Sequence, residues 1–411
     1  VAIDMRDVRV GGTAVRGTPA KTIVAPVTLA EAQRLMHDAS TANETVAFLG
    51  GGTELGLGYP PVQVDVLVRT SQLARVVEYA PADLVIEVEA GMTLANLQRT
   101  LAPHGQRLAL DAPHPEFATL GGLVSTNGFG PLRTRFGSLR DLIVGESLIR
   151  ADGERVRGGG KVVKNVAGFD LPKLAVGSLG SLGMIATITF RLHPLPQTAT
   201  ALRVAGCDGA RLAALVAEIG ARRLEPAAFL AHRDGSRPGF DADVIFEGFE
   251  TGVAEQAERF EALSADLGSR AERLDDAALP ASLDENARMH GDVRLRLAVP
   301  PADLEPLART LEPLAAGLAE TRVVVYPTLG IAFVSGYAAN VPPAATAILD
   351  ARRAVEGLHG HLVVLDARDR ALADLVDPYG TLPASFFLMQ RLKERFDPAR
   401  RLNRGRFLGG L

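Results

Sequence analysis

Thr45-Val46-Ala47-Phe48-Leu49 runs without a break into Gly50-Gly51-Gly52-Thr53-Glu54. The first five residues are a short apolar run bounded by glycine, which predicts a buried strand over Thr45–Leu49. Three glycines at its end permit positive φ. They also present successive backbone N–H groups with no Cβ in the way, a nest suited to a pyrophosphate. No Gly-Lys-Ser/Thr follows, so this is not a Walker A loop, and the glycines do not open a helix in the GxGxxG pattern. By itself the segment fits equally a glycine-rich turn with no ligand.

Two further clusters repeat the theme. Ala118-Thr119-Leu120-Gly121-Gly122-Leu123-Val124-Ser125-Thr126-Asn127-Gly128 reads as a loop longer than chain reversal requires. Its hydroxyl and amide side chains suit phosphate oxygens, ribose or heteroaromatic edges, and Pro113 and Pro115 stiffen the segment before it. Val176-Gly177-Ser178-Leu179-Gly180-Ser181-Leu182-Gly183-Met184-Ile185 spaces glycines by three and leads into an alternating strand, Ile185–Leu192. Each cluster is weak alone. Three in order, each beside a strand, suggest backbone laid against one flat, anionic ligand.

Composition bounds the rest. The 411 residues, 47% apolar and 22% charged, suit a globular protein of two or three domains. One cysteine, Cys207, excludes an intrachain disulfide, a multi-cysteine zinc site and an iron–sulfur cluster within the chain. A net charge of −4, spread along the sequence, offers no basic surface for nucleic acid. No stretch reaches the length of a transmembrane helix, and Val1–Arg16 lacks the apolar core of a signal peptide, so the cytoplasm is the expected compartment.

Glycines crowd the chain before Arg191; after Pro194-Leu195-Pro196 the composition turns to Ala, Leu, Arg and Glu. A boundary is expected at about Pro194–Thr200. Before it, Thr28-Leu-Ala-Glu31 is a capping box opening a helix to about Ser40. Val64–Val68, Leu84–Glu89 and Leu142–Arg150 read as strands, and Thr93–Leu101 as a capped helix. After it, a β-α-β-β-α order occurs twice, from Ala201 to Leu267 and from Val293 to Gly357, with Leu362–Leu365 as a closing strand. Two ferredoxin-like units would form one antiparallel sheet with helices on one face. A helix over Leu388–Phe396 precedes an extended tail, Asn403–Leu411, expected to return to the first domain.

Gly50-Gly51-Gly52-Thr53, Ala118-Thr119-Leu120-Gly121-Gly122 and Gly177-Ser178-Leu179-Gly180-Ser181-Leu182-Gly183 resemble the FAD-binding domain of the vanillyl-alcohol oxidase (PCMH-type) flavoprotein superfamily. Gly158-Gly-Gly-Lys-Val-Val-Lys-Asn-Val-Ala-Gly-Phe-Asp-Leu-Pro-Lys-Leu174 narrows the likeness to the FAD-binding E subunit of bacterial glycolate oxidase. The motifs cover about Ala25–Pro196. The resemblance implies an α+β chain: a two-subdomain PCMH-type FAD-binding domain (20–196), a ferredoxin-like-repeat α+β cap domain (200–385) and a returning tail (386–411). It implies that Gly50, Gly51, Gly52, Thr53 and Glu54 bind the FAD pyrophosphate. Pro113, Thr119, Leu120, Gly121, Gly122, Ser125, Thr126 and Asn127 would line the pyrophosphate and ribityl path, and Gly180, Gly183 and Ile185 the adenine and flavin chain. Arg140 and Asp141 sit where the family has a similar run before a strand.

Three departures carry meaning. Thr53 stands where covalently flavinylated members have histidine, so FAD is expected to be non-covalent. Phe169 replaces the usual tyrosine of Gly-Tyr-Asp-Leu, and Arg404 replaces the proline of Asn-Pro-Gly.

Catalytic residues are not identified. The family's metal signature, His-x-x-Asp-Gly-Asn-x-His, and its Glu-His-Gly segment are absent, and no metal is expected. His359-Gly360-His361 has no acidic or histidine partner nearby in sequence. His104 reads as a helix-end cap, His114 as a residue beside the glycine clusters, and His290, Asp141 and Glu146 as structural or exposed. The resemblance implies a subunit of a 2-hydroxy-acid dehydrogenase complex of the glycolate or D-lactate type. Its partners would be a related catalytic flavoprotein subunit and an iron–sulfur subunit, through which it would reach the inner membrane. A small hydroxy acid would be the substrate. The alternatives are a stand-alone FAD-dependent oxidase or dehydrogenase of a small alcohol or hydroxy acid, and a non-catalytic assembly subunit.

Overall fold

The computed structural model describes residues 14–160, 172–235, 237, 239–275 and 283–411. Most of Val1–Arg16 and the Lys161–Leu171 part of the Gly158–Leu174 motif, Phe169 included, lie outside them. The chain divides into two compact units. One joins the described residues up to Phe129 with Gly137–Leu195 and Thr381–Leu411; the other comprises Gly130–Phe136 and Pro196–Gly380.

The first unit holds two main sheets. In the smaller, the order is Ala14–Val15, Thr18–Val24, Val64–Arg69, Val46–Leu49, and its last three strands are parallel. Parallel neighbours need crossovers, and Leu29–Thr41 supplies one between Thr18–Val24 and Val46–Leu49. Thr28 caps that helix by accepting from the Glu31 N–H, while the Glu31 carboxylate accepts from Val27 N, one residue further back than a capping box predicts. The larger sheet is antiparallel, ordered Val76–Ala80, Val85–Glu89, Met184–Arg191, Ile143–Ile149, Arg155–Gly159. Ala32 and Met36 of the helix, Val46 and Val68 of one sheet, and Ile149, Met184 and Ala186 of the other share one core with Leu402.

The region around Thr119 corrects the loop expectation. Leu120–Thr126 is a short helix, capped by the Thr119 hydroxyl, which accepts from Gly122 N at 3.2 Å, and closed by Asn127 at φ 54°. The tail is likewise not extended throughout. Val46 N donates to Arg401 O at 2.9 Å and Asn403 N to Val46 O at 2.8 Å, so Leu402 makes a parallel bridge beside Val46. A 3₁₀ turn then spans Leu408–Gly410.

The second unit is one eight-stranded antiparallel sheet. Its order is Ala271–Arg273, Thr198–Cys207, Phe240–Gly248, Ala228–Asp234, Ala319–Tyr326, Ile331–Tyr337, Val293–Ala298, His361–Ala367. Each half runs β-α-β-β-α-β along the chain, and the halves join edge to edge where Ala231 faces Val325. Side chains alternate across the sheet. Leu202, Phe229, Val244, Val293 and Val325 share one core with residues of all four long helices, among them Leu215, Phe260, Leu311 and Ile348.

A buried carboxylate ties the smaller sheet together. Asp65 accepts from the Thr45 backbone N–H (2.8 Å) and hydroxyl (2.7 Å), from Gln63 (2.7 Å) and from Lys21 (2.6 Å). Burial by itself raises the Asp65 carboxyl, but Lys21, Thr45 and Gln63 together outweigh it and hold the group well below its ordinary value. A depressed carboxylate stabilises the fold above its unfolded value, and that contribution is lost as pH falls toward the folded one. The stability gap between wild type and Asp65→Asn is therefore expected to be widest at neutral pH and to narrow below about pH 4, as urea midpoints measured from pH 7 to pH 3 will show.

Candidate functional site

A cavity of about 760 Å³, counting space open to solvent, lies within the first unit. Strand Val46–Leu49 ends in its wall and hands the chain to Gly50–Leu55. Helix Leu120–Thr126 faces this turn, the loop before Met184–Arg191 adds Leu179, Gly180 and Gly183, and that strand adds Ile185. Of the sequence-predicted residues, Gly50, Gly51, Gly52, Thr53, Glu54, Thr119, Gly121, Gly122, Ser125, Thr126, Gly180, Gly183 and Ile185 meet there. Pro113, Leu120 and Asn127 do not line it. Leu120 faces the protein core, fully buried, and Asn127 terminates the helix.

The glycines are required by protein–protein approach as well as by the cavity. A Cβ on Gly51 would fall 1.7 Å from the Phe117 carbonyl oxygen, and one on Gly50 would fall 2.1 Å from the Thr119 hydroxyl. At Gly121 the obstacle is Ala90, and at Gly180 it is the Asn403 amide nitrogen, 2.6 Å away. The three segments thus interlock with no room for side chains, leaving peptide groups in the wall.

Among the wall residues that the sequence reading did not assign to the site are Asn403 and Arg406, both from the tail and both buried. Asn403 donates from Nδ2 to Leu179 O at 2.6 Å, while its Oδ1 is buried without a hydrogen-bond partner. Because a carbonyl can only accept, the Leu179 contact fixes which amide atom is the oxygen. Arg406 donates to Leu55 O (3.0 Å) and Leu57 O (2.7 Å), bracing the turn after Glu54. Among the described residues it is the only cationic side chain lining the cavity, and Glu54 is the only anionic one.

The remaining candidates lie elsewhere. His104 packs edge-on against Tyr79 at 5.0 Å, and the His114 carbonyl accepts from Phe117 N and Ala118 N. His290 Nε2 bonds the Glu320 carbonyl at 2.8 Å. His359 has φ 58°, so it does not share an extended face with His361. Asp141 accepts from the Ser138 N–H and hydroxyl in a capping box. Glu146 is not exposed: it is buried, neither carboxylate oxygen has a hydrogen-bond partner, and burial pushes its pKa well above the ordinary range. Burial likewise pushes the Cys207 thiol up to about 11. Among the described residues no cluster of three His, Cys, Asp or Glu could hold a metal, and no helix is long and apolar enough to cross a membrane.

Residues 20–159 match the protein family described as an FAD binding domain. This stretch is an FAD-binding domain. The chain is 38% identical over 155 residues to the glycolate oxidase subunit GlcE of Escherichia coli (strain K12), across 38% of this chain and 44% of that one. It is 32% identical over 184 residues to D-lactate dehydrogenase of Archaeoglobus fulgidus, across 44% and 41%. These matches span less than half the relatives' own lengths. Among solved structures, p-cresol methylhydroxylase with substrate bound aligns at a TM-score of 0.75 and 15% identity, over 97% of this chain and 90% of that one. Alkyldihydroxyacetonephosphate synthase aligns at 0.71 and 16% identity, over 93% and 76%. The chain has the fold of p-cresol methylhydroxylase, and its matched stretch takes FAD as cofactor.

The cavity fits that group. The glycine stretches of its wall, with exposed peptide groups, suit a diphosphate and a flat ring. The hydroxyls of Thr53, Ser125 and Thr126 suit phosphate and ribityl oxygens, and Arg406 supplies a positive charge.

Two substitutions separate packing from backbone conformation. Gly51→Ala is expected to cost about 2–3 kcal/mol through overpacking against Phe117. Gly177→Ala, whose nearest neighbour would be 3.7 Å away, is expected to cost only the positive-φ penalty of about 1–2 kcal/mol. Urea unfolding of the two variants measures the order. Iodoacetamide is expected to leave Cys207 unmodified in the native protein and to label it after denaturation, as intact mass will show.

Proposed function

We propose that this chain is the FAD-binding subunit of a 2-hydroxy-acid dehydrogenase complex of the glycolate or D-lactate type. The observation that carries this reading is the cavity in which Gly50–Glu54 and Thr119–Thr126 of the matched FAD-binding domain meet Leu179–Ile185. The likeness to a glycolate oxidase subunit and to a D-lactate dehydrogenase supports the substrate class. In this reading Gly50, Gly51, Gly52, Thr53 and Glu54 hold the pyrophosphate. Thr119, Gly121, Gly122, Ser125 and Thr126 follow the ribityl path, with Gly180, Gly183 and Ile185 beside them.

FAD, when bound, supplies the two-electron acceptor for oxidising an alcohol carbon. The chain's own groups bind and orient it. Among the described residues no histidine, cysteine or tyrosine lines the cavity, which supports non-covalent attachment. Removing a hydroxyl proton needs a base within hydrogen-bond reach, and the one carboxylate in the wall is Glu54. The likeness to a glycolate oxidase subunit favours a subunit role beside a related catalytic flavoprotein. An onward iron–sulfur centre would need cysteines from a partner, because Cys207 stands alone. The complex would be cytoplasmic and peripheral to the inner membrane.

The purified chain is expected to be yellow and to release all its flavin on acid precipitation, leaving a colourless pellet. Anaerobic D-lactate or glycolate is expected to leave the isolated chain's flavin band intact and to bleach it once the partner flavoprotein is added. Bleaching of the isolated chain would overturn the subunit role in favour of a stand-alone dehydrogenase. A protein that takes up no FAD would overturn the cavity assignment.

A further inference from the structure

Lys393 lies on helix Phe386–Phe396, 212 residues along the chain from Ser181 of the third glycine cluster, yet it is 2% exposed. Its ammonium makes three hydrogen bonds: to Ser181 O at 2.8 Å, to Leu402 O at 3.0 Å and to the Asp397 carboxylate at 2.7 Å. Asp397, fully buried, also accepts from Leu402 N at 2.8 Å and Arg401 N at 3.1 Å. One ammonium therefore joins the tail to the Gly177–Gly183 loop, and its carboxylate partner shapes the turn into the tail.

Burying a lysine is costly, and an apolar side chain of similar volume often serves packing as well or better. An apolar side chain cannot aim two carbonyl groups from separate segments. Ser181 and Leu179 flank Gly180 in the cavity wall; Lys393 holds the first through its carbonyl and Asn403 holds the second. Leu402, held by Lys393 through its carbonyl, directly precedes Asn403. Three residues on, Arg406 N donates to Asn403 O at 3.0 Å. The orphaned Asn403 Oδ1 is an acceptor, so it calls for a donor: a hydroxyl or N–H group of the dinucleotide, since an ionised diphosphate offers none.

We propose that Lys393 is a positioning residue of the cofactor site, fixing the tail against the Gly177–Gly183 loop so that Asn403 and Arg406 stand in the cavity wall. The proposal rests on the assignment of this cavity to FAD. Lys393 touches no cofactor atom itself; it acts through Asn403.

The test is FAD titration of the full-length apoprotein, followed by flavin fluorescence, for wild type, Lys393→Met, Asn403→Ala and the double variant. Each single variant is expected to bind FAD about tenfold more weakly, the scale of one lost hydrogen bond. The double variant is expected to bind no more weakly than the worse single one, because both lose the same contact. A merely structural lysine would weaken binding independently of Asn403, and multiplying losses would overturn the proposal. So would Lys393→Met binding as tightly as wild type. If Lys393→Met fails to fold, Lys393→Met/Asp397→Leu removes the buried charge with its partner and takes its place in the cycle. Wild-type binding with no loss in that variant overturns the role of Lys393; absence of wild-type binding overturns the cavity assignment itself.

Discussion

The approach of Gly51 to the Phe117 backbone, and of Gly50 to the Thr119 side chain, is the constraint on which the first unit depends. Two segments some 65 residues apart touch there, and a single methyl group would part them. This contact closes one side of the cavity, and the Gly180–Asn403 contact closes another. Glycine is therefore doubly determined at these positions. The same missing Cβ that lets the segments interlock leaves amide groups exposed in the wall at these positions. A ligand bound there meets a surface set by backbone geometry, which costs little reorganisation when it arrives.

Buried polar groups complete that geometry at three places. Asp65 ties Thr45 to the neighbouring strand, Lys393 ties tail to loop, and in the second unit Asp243 takes a bidentate pair from Arg203 at 2.6 and 2.7 Å with His232 beside it. Each charge is met by several partners, which is the condition under which burial is tolerated. Glu146 differs, since neither of its oxygens is met by a hydrogen bond. Its raised pKa is the thermodynamic response: a carboxyl that finds no donor favours its neutral form.

Local chemistry was the most legible part of the sequence. Thr28 and Thr93 announce their helices through the oxygen that accepts an orphan N–H. In the second unit, strict alternation from Val293 to Ala298 and apolar helix faces were enough to read the β-α-β-β-α order twice. Leu120–Thr126 was misread because Gly121 and Gly122 are poor helix formers; the Thr119 cap and packing against Ala90 override that propensity. Asn403 and Arg406 were missed for a different reason. They lie about 350 residues from the glycine turn, and Arg404 interrupts the motif by which the tail would be recognised. Lys393 and Asp397 look in sequence like a solvated i,i+4 pair, and only their burial distinguishes them.

The first unit is assembled from stretches on both sides of Pro196–Gly380. During synthesis the strands and helices of its early part leave the ribosome well before the segment that bridges beside Val46. The second unit is made in between, and its local β-α-β-β-α-β order allows it to fold as a block. The cofactor pocket is consequently completed only after the second unit has been made. Until Asn403 and Arg406 arrive, the wall that the glycines form lacks its buried amide and guanidinium, so the pocket waits on a segment made about 350 residues after the turn it completes.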